Sequence, residues 1–359
     1  MAVQRPGVLS LSGSVRYATA AVASPPLVSI GLPAYNAARY LREALDSLLG
    51  QDYPNLELIV SDNASDDATA QICAEYVKRD GRLRYHRNAE NMGAVWNFNQ
   101  VLELARGEYF MWAAYDDLRD PHYVSACAAM LQSRPDAVMC CTGVRFIDED
   151  GGELVEPPSV VGIRPVGKTA RDRMRQVVRA MHWTDFYGLS RTATLRLTRR
   201  PIPVWGFDVV ALLEICLRGP VALVPEPMFS YRRFQVKTMQ DLAGGLDRGQ
   251  GGGITVCWSC MAVEMLRAVW LAPYSVPARL VLVMSFLLNC CVLNHYLGNA
   301  IRSDLTDNVR TAAAAKKVGR VAALLLIGSF IYPAYNRLTR ALYRRLRPPS
   351  VERAGRAAL

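Results

Sequence analysis

No run of about 20 uninterrupted apolar residues occurs in this 359-residue chain, so no segment reads as a bilayer-spanning helix. Residues 1–25 lack the charged-then-apolar order of a secretory signal and form a mixed Ala/Ser/Pro tail. With no such signal and an odd count of nine cysteines, the thiols read as free and the compartment as reducing. The expected location is therefore cytoplasmic. No Gly-x-Gly-x-x-Gly turn follows the first predicted strand, which argues against a nicotinamide-dependent enzyme. No basic stretch with interleaved aromatics is present, so nucleic acid is not an expected partner. Internal repeats are absent as well.

What is present suits a folded protein with a large core: 51% of residues are hydrophobic and 21% charged. A net charge of +10 fits an anionic membrane surface or phosphorylated substrates, and basic residues crowd one stretch, Arg337, Arg340, Arg344, Arg345 and Arg347.

From Pro26 onward the pattern alternates. Val28 to Leu32 is a short apolar run closed by Pro33, and Leu41, Ala44, Leu45, Leu48 and Leu49 follow at helical spacing. Strands are expected at 56–60, 83–86, 109–113, 137–142 and 221–224, and helices near 69–78, 94–105, 171–181 and 207–217, with a Gly/Pro-rich loop over 151–167. This order predicts an α/β fold with a mostly parallel sheet flanked by helices, whose ligands sit at the carboxyl ends of the strands. The loops after Leu32, Val60 and Ala113 should then face one crevice. The divisions are a tail (1–25), a main domain (26–240, its halves meeting near 120), a Gly-rich linker (241–253) and a helical region with a basic end (254–359). In that last region Leu280 to Leu297 and Val321 to Tyr335 read as interfacial helices on a membrane surface, with core or dimer helices, and hence a homo-oligomer, as the alternative.

The three loops are Pro33-Ala34-Tyr35-Asn36, Ser61-Asp62-Asn63-Ala64-Ser65-Asp66-Asp67 and Tyr115-Asp116-Asp117. A carboxylate at a strand end, such as Asp62, accepts from a base N–H, and Asp116 and Asp117 are hard oxygen ligands suited to Mg²⁺ or Mn²⁺ on a diphosphate. A solvated turn or helix cap is the plain alternative for such an Asp pair. Cys257-x-x-Cys260 has no second pair or His at ligand spacing, so no metal or redox role is assigned to it.

The segments PLVSIGLPAYNAARYLREALDSLLGQDYPNLELIVSDNASDD, RNAENMGAVWNFN and ARGEYFMWAAYDD together resemble the family 2 glycosyltransferases of GT-A fold over about residues 26–235. The resemblance implies that Pro33, Ala34, Tyr35 and Asn36 cradle the nucleotide of a nucleotide-sugar donor. Asp62, with Asn63 and Ser65 in its loop, would recognise the base, and Asp116 would hold the metal with Asp117 beside it. Asn91, Gly93 and Asn97 match the family's Asn-rich loop, where phosphate or ribose approaches, helix capping being the alternative. Asp208 takes the place of the catalytic base, Arg232 offsets diphosphate charge, and Trp183, Asp185 and Tyr187 fall where the acceptor side begins. Two positions depart from the family's pattern: Ala114 stands where an aspartate is common, and Gln235 near a common histidine. The implied function is inverting transfer to a lipid-linked or polysaccharide acceptor. The departures motivate a second reading, a non-catalytic nucleotide-sugar-binding protein.

Overall fold

A computed structural model describes residues 24–155, 167–180, 183–234 and 256–290. Four parallel strands form the first half of its sheet: β1 (Val28–Ala34), β2 (Leu56–Asp62), β3 (Leu83–Arg87) and β4 (Tyr109–Trp112). Every residue of β1, β2 and β4 is buried, as expected of strands covered on both faces. Alternation in β4 divides the core: Tyr109 and Met111 join the cluster that includes Leu41, Leu45 and Leu48, while Phe110 and Trp112 join the cluster around Phe98, Phe186 and Phe207.

Helix α1 (Leu41–Leu49) buries Leu41, Ala44, Leu45 and Leu48, one stripe of a 3.6-residue period. Helix α2 (Thr69–Arg79) ends on Lys78 and Arg79, cations that suit the negative end of its dipole. Helix α3 (Ala94–Glu103) starts at Gly93, whose φ of 84° is accessible to glycine at little cost.

The sheet is mostly parallel, as expected, with short antiparallel strands entering its second half. The strands lie in the order β3-β2-β1-β4-β8-β6-β9-β5. Here β5 (Leu118–Arg119) and β8 (Leu189–Arg191) pair antiparallel with their neighbours, whereas β6 (Met139–Ile147) and β9 (Val221–Arg232) pair parallel. Strands of two or three residues leave no periodic signal. β6 and β9 also run well past their expected ends at Thr142 and Val224. Pro225 and Pro227 cannot donate to a ladder, and the register shifts around Gly143, where the backbone passes so close that a Cβ would meet Pro225 O at 2.7 Å. The passage expected as a loop from Gly151 contains β7 (Glu153–Leu154), paired with β6.

Past β9, two helices, Trp258–Trp270 and Val276–Leu288, pack behind the helix Phe207–Cys216. The reading of all cysteines as free thiols is corrected here, since Cys257 and Cys260 are joined in a disulfide. The first helical turn sets their Cα atoms 5.2 Å apart, within bonding range. Among the described residues no helix is long and apolar enough to cross a membrane. Residues 1–23 of the tail, the 241–253 linker, the Leu280 to Leu297 stretch beyond residue 290, Val321 to Tyr335, the basic run 337–347 and Gln235 lie outside the described residues.

At the end of the sheet away from the loops, Glu57 is 7% exposed and accepts from Ser29 Oγ (2.6 Å), Arg106 N (2.9 Å) and Arg84 Nη1 (2.8 Å). Burial pushes its carboxyl up, but these hydrogen bonds and the Arg84 charge outweigh it and hold the pKa below the usual range. A depressed folded pKa contributes stability above the unfolded value of about 4.3, lost as pH falls through the folded value. Glu57→Gln should therefore lower stability at pH 7 by about 2 kcal/mol and narrow toward wild type below about pH 4, as read by urea unfolding across that range.

Candidate active site

The three loops expected to share a crevice lie at one edge of the sheet, past the carboxyl ends of the parallel β1, β2 and β4, although the first begins later than the sequence suggests. Pro33 and Ala34 are buried residues of β1, paired with Ser61 and Asp62, so they contribute backbone position and not an open loop. The turn begins at Tyr35 and Asn36, both half-buried, with Asn36 at a φ of 48°, a conformation asparagine tolerates. Asn36 N donates to Ser65 Oγ (3.0 Å), and Asn36 Oδ1 accepts from Asp66 N (3.0 Å). Ala37 N and Ala38 N donate to Thr69 and Asp67. The first two loops are thus laced together.

Asp62 is fully buried at the end of β2, where its oxygens accept from Tyr85 Oη (2.6 Å) and Ser65 N (2.9 Å). Burial and this carboxylate push the Tyr85 phenol up, which keeps it a donor. A carboxylate offers about four lone-pair sites, so a base N–H can still share an oxygen. Asn63 accepts from Asn88 Nδ2 and Met92 N and donates to Asn91 Oδ1 (2.6 Å), which also accepts from Gly93 N (2.9 Å). Asn97, buried in the first turn of α3, donates to Ala34 O and Ser61 O. Asn63, Asn91 and Asn97 therefore brace the strand ends.

At the end of β4, Asp117 is 3% exposed and Asp116 half-buried. Asp117 Oδ1 accepts from Arg232 N (2.9 Å), while its Oδ2 is buried without a hydrogen-bond partner. Burial pushes both carboxyls up, and the charge of Asp116 adds to the effect at Asp117. Arg119 opposes this; its guanidinium is buried 3.5 Å over the Phe229 ring with Nε and Nη2 unpartnered. No group of three or more potential ligands of the His/Cys/Asp/Glu type occurs among the described residues. The orphaned Asp117 oxygen beside the Asp116 carboxylate nevertheless fits a hard divalent cation that draws its other oxygens from a bound diphosphate and water.

Arg232 holds this loop. Its Nε donates to Asp116 O (2.8 Å), Nη1 to Asp148 O (3.2 Å) and Glu149 O (2.9 Å), and Nη2 to Glu43 Oε2 (2.8 Å), over the ring of Tyr40. Expected to face a diphosphate, it is instead committed almost wholly to the protein, with its side chain 1% exposed.

Asp208 lies in the first turn of the helix Phe207–Cys216. Gly206 precedes it at a φ of 69°, packed so closely on Met261 that a Cβ would lie 2.4 Å from its sulfur. Phe207 anchors the turn against Phe98, with ring centroids 5.2 Å apart. Burial raises the Asp208 pKa to about 6. The phenols of Tyr187 and Tyr231 are pushed up by burial and by Asp116, Asp117 and Asp208, so the three carboxylates share one aromatic neighbourhood. Trp183, 42% exposed, lies 6.5 Å from Tyr231 by ring centroids, whereas Asp185 is buried. Of the expected acceptor residues, Tyr187 shares the electrostatic neighbourhood of the carboxylates, Trp183 lies against Tyr231, and Asp185 is buried. Glu43, Tyr85, Arg119 and Tyr231 were not singled out from sequence; each acts on a site residue through register or packing.

Residues 29–198 match the family described as Glycosyl transferase family 2. An uncharacterized protein of Mycobacterium tuberculosis is 32% identical over 210 residues, 57% of this chain and 58% of its own length. An uncharacterized glycosyltransferase of Rickettsia typhi is 37% identical over 131 residues, 36% of this chain and 40% of its own. The chain thus spans about 58% of the mycobacterial relative. Among solved structures, residues 1–349 of Staphylococcus aureus TarS in complex with UDP-GlcNAc share the fold at a TM-score of 0.61 and 16% identity, over 84% of this chain and 81% of that one. The fold is that of the GT-A glycosyltransferases. The family match thus covers residues 29–198, a little under half of the chain.

A carboxyl whose folded pKa lies above its unfolded value of about 3.9 binds its proton more tightly in the fold, so its ionisation removes stability as pH rises from about 4 to 6. Asp208→Asn should therefore be more stable than wild type by about 1–3 kcal/mol at pH 7.5, with the gap closing near pH 4. Chemical unfolding at the two pH values checks it.

Proposed function

We propose that the protein transfers a sugar from a nucleoside-diphosphate sugar to an acceptor hydroxyl, with inversion at the anomeric carbon. A lipid-linked or polysaccharide acceptor, in surface polysaccharide or glycolipid assembly, suits it. The observation that carries this reading is the convergence of two acidic centres on one aromatic pair. Asp116 and Asp117 lie in the loop after β4, Asp208 starts a separate helix, and the charges of all three act on Tyr187 and Tyr231. The TarS complex with UDP-GlcNAc supports a nucleotide-sugar donor.

In this reading Tyr35 and Asn36 border the nucleotide, Asp62 takes a base N–H, and the braced asparagines keep the two strand ends from moving apart. Asp116 and Asp117 would hold a Mg²⁺ or Mn²⁺ ion, which when bound offsets charge on the departing diphosphate. Arg232 keeps both carboxylates in place by gripping the loop's backbone. Asp208 receives the acceptor hydroxyl proton as the oxygen attacks the anomeric carbon from the face opposite the diphosphate. A pKa near 6 leaves it ionised at neutral pH yet more basic than an ordinary carboxylate. Trp183, exposed beside Tyr231, presents a ring face on which an acceptor sugar can stack.

Purified protein supplied with a panel of nucleotide sugars and Mn²⁺ or Mg²⁺ should release nucleoside diphosphate from one donor. Its kcat should rise with pH to a plateau above about 6. Asp208→Asn should lower kcat by roughly 10²- to 10⁴-fold with donor affinity retained, and Asp116→Ala should abolish release. Donor binding without turnover in the presence of acceptor would instead favour a non-catalytic binding protein. Turnover unchanged in Asp208→Asn would remove the assigned base.

A further inference from the structure

The helix Val276–Leu288 has its polarity reversed. Its inward face carries Leu282 and Phe286 but also Ser285, which accepts from Arg171 Nε (3.2 Å). Asn289, just past its end and 1% exposed, accepts from Arg179 Nε (3.1 Å). The outward face carries Val276, Leu280, Val281 and Met284, exposed by 54%, 50%, 56% and 67%. Trp270 and Leu271, 45% and 52% exposed at the end of the preceding helix, add two more large apolar side chains to this part of the surface. A helix facing water places its polar residues outward. This one turns them in and presents a stripe at i, i+4, i+5 and i+8, the arrangement that suits an apolar neighbour.

The surroundings specify the neighbour's charge. The helix itself has no acidic residue, and Arg279 is its one charged side chain. The helix Ala170–Ala180, which reaches Ser285 and Asn289 through its arginines, also carries Arg175, and Lys168 precedes it; Arg267 lies one helix back. Of the acids nearby, Asp172 lies 3.9 Å from Arg175, and Glu264 is paired with Arg199 and lies 3.9 Å from Arg267, so the surroundings keep a basic excess. A second copy docked about a two-fold axis would set this basic rim against itself, and six partly exposed side chains fall short of the roughly 800 Å² per partner of a standard interface. Residues 291–359 hold twelve Lys/Arg and three Asp/Glu, so they too bring charge of the same sign. An anionic lipid surface complements both the stripe and the rim, and a tryptophan at the edge of the stripe suits the headgroup boundary.

We propose that Val276, Leu280, Val281 and Met284, with Trp270 and Leu271, lie in the interfacial layer of an anionic membrane, the helix in the plane of the bilayer and the bordering arginines on its headgroups. The inference stands apart from the transfer reading.

The test uses the full chain with vesicles of phosphatidylcholine, alone or mixed with phosphatidylglycerol. Partitioning should favour the anionic vesicles and weaken, without vanishing, as salt rises. Lipids brominated in the upper acyl chain should quench the protein's fluorescence, and Trp270→Phe should remove most of that quenching. Leu280→Glu combined with Met284→Glu should lower partitioning by about tenfold or more, with an unchanged unfolding midpoint because both positions are exposed. Equal partitioning of the double variant and wild type, or quenching that persists in Trp270→Phe, would overturn the proposal. So would a dimer that dissociates in the double variant while neither protein binds vesicles, since the face would then belong to a second copy.

Discussion

One buried guanidinium ties the candidate site to the sheet. Arg232 lies at the end of β9, yet it reaches the Asp116 carbonyl, the turn at Asp148 and Glu149, and Glu43 on α1, while its own N–H fixes Asp117. These contacts join four elements that the chain order keeps far apart. Removing one partner of such an arrangement leaves buried polar groups unpaired, which costs far more than an average hydrogen bond contributes. The Asp116-Asp117 loop therefore has little freedom to relax away from the position that ligand chemistry requires.

The rest of the site follows the same logic of fixed polar groups in a region sheltered from water. Asp62 is held by Tyr85 and Ser65, and Asn97 bridges the ends of β1 and β2. Burial pushes the carboxyls of Asp116, Asp117 and Asp208 up, so the folded protein carries acidic groups that do not favour its own stability at neutral pH. Proteins tolerate such groups where function uses them. Trp112, Phe186, Phe98 and Phe207 form one buried aromatic layer; Trp112 and Phe186 stack with centroids 4.4 Å apart, and Phe207 at the start of the Asp208 helix packs against Phe98.

The first half of the fold was legible because its strands are long, apolar and separated by amphipathic helices. β1, β2 and β4 begin at the residues where the apolar runs begin, and α1 at the start of its stripe. The second half was less so. Two- and three-residue strands carry no period, and Pro225 and Pro227 disguised the length of β9. The same division holds in the site. Asp62, Asp116 and Asp117 were visible because acids at strand ends stand out, and Asp208 because the family resemblance located it. The function of Arg232 was misjudged because its partners Glu43 and Asp148 are distant in sequence, and Tyr85 was missed because its approach to Asp62 depends on the register of β3 against β2. The disulfide between Cys257 and Cys260 escaped because that pair was weighed only as a metal or redox motif, while the odd cysteine count spoke for free thiols.

The central claim is that the ends of β1, β2 and β4 form one nucleotide site. Hydrogen exchange measured on the full chain, with and without a nucleoside diphosphate and Mn²⁺, tests it most directly. The account predicts slowed exchange together at residues 35–38, 62–67 and 114–119. Binding that leaves either of the last two segments unprotected, or that protects only residues elsewhere in the chain, would contradict it.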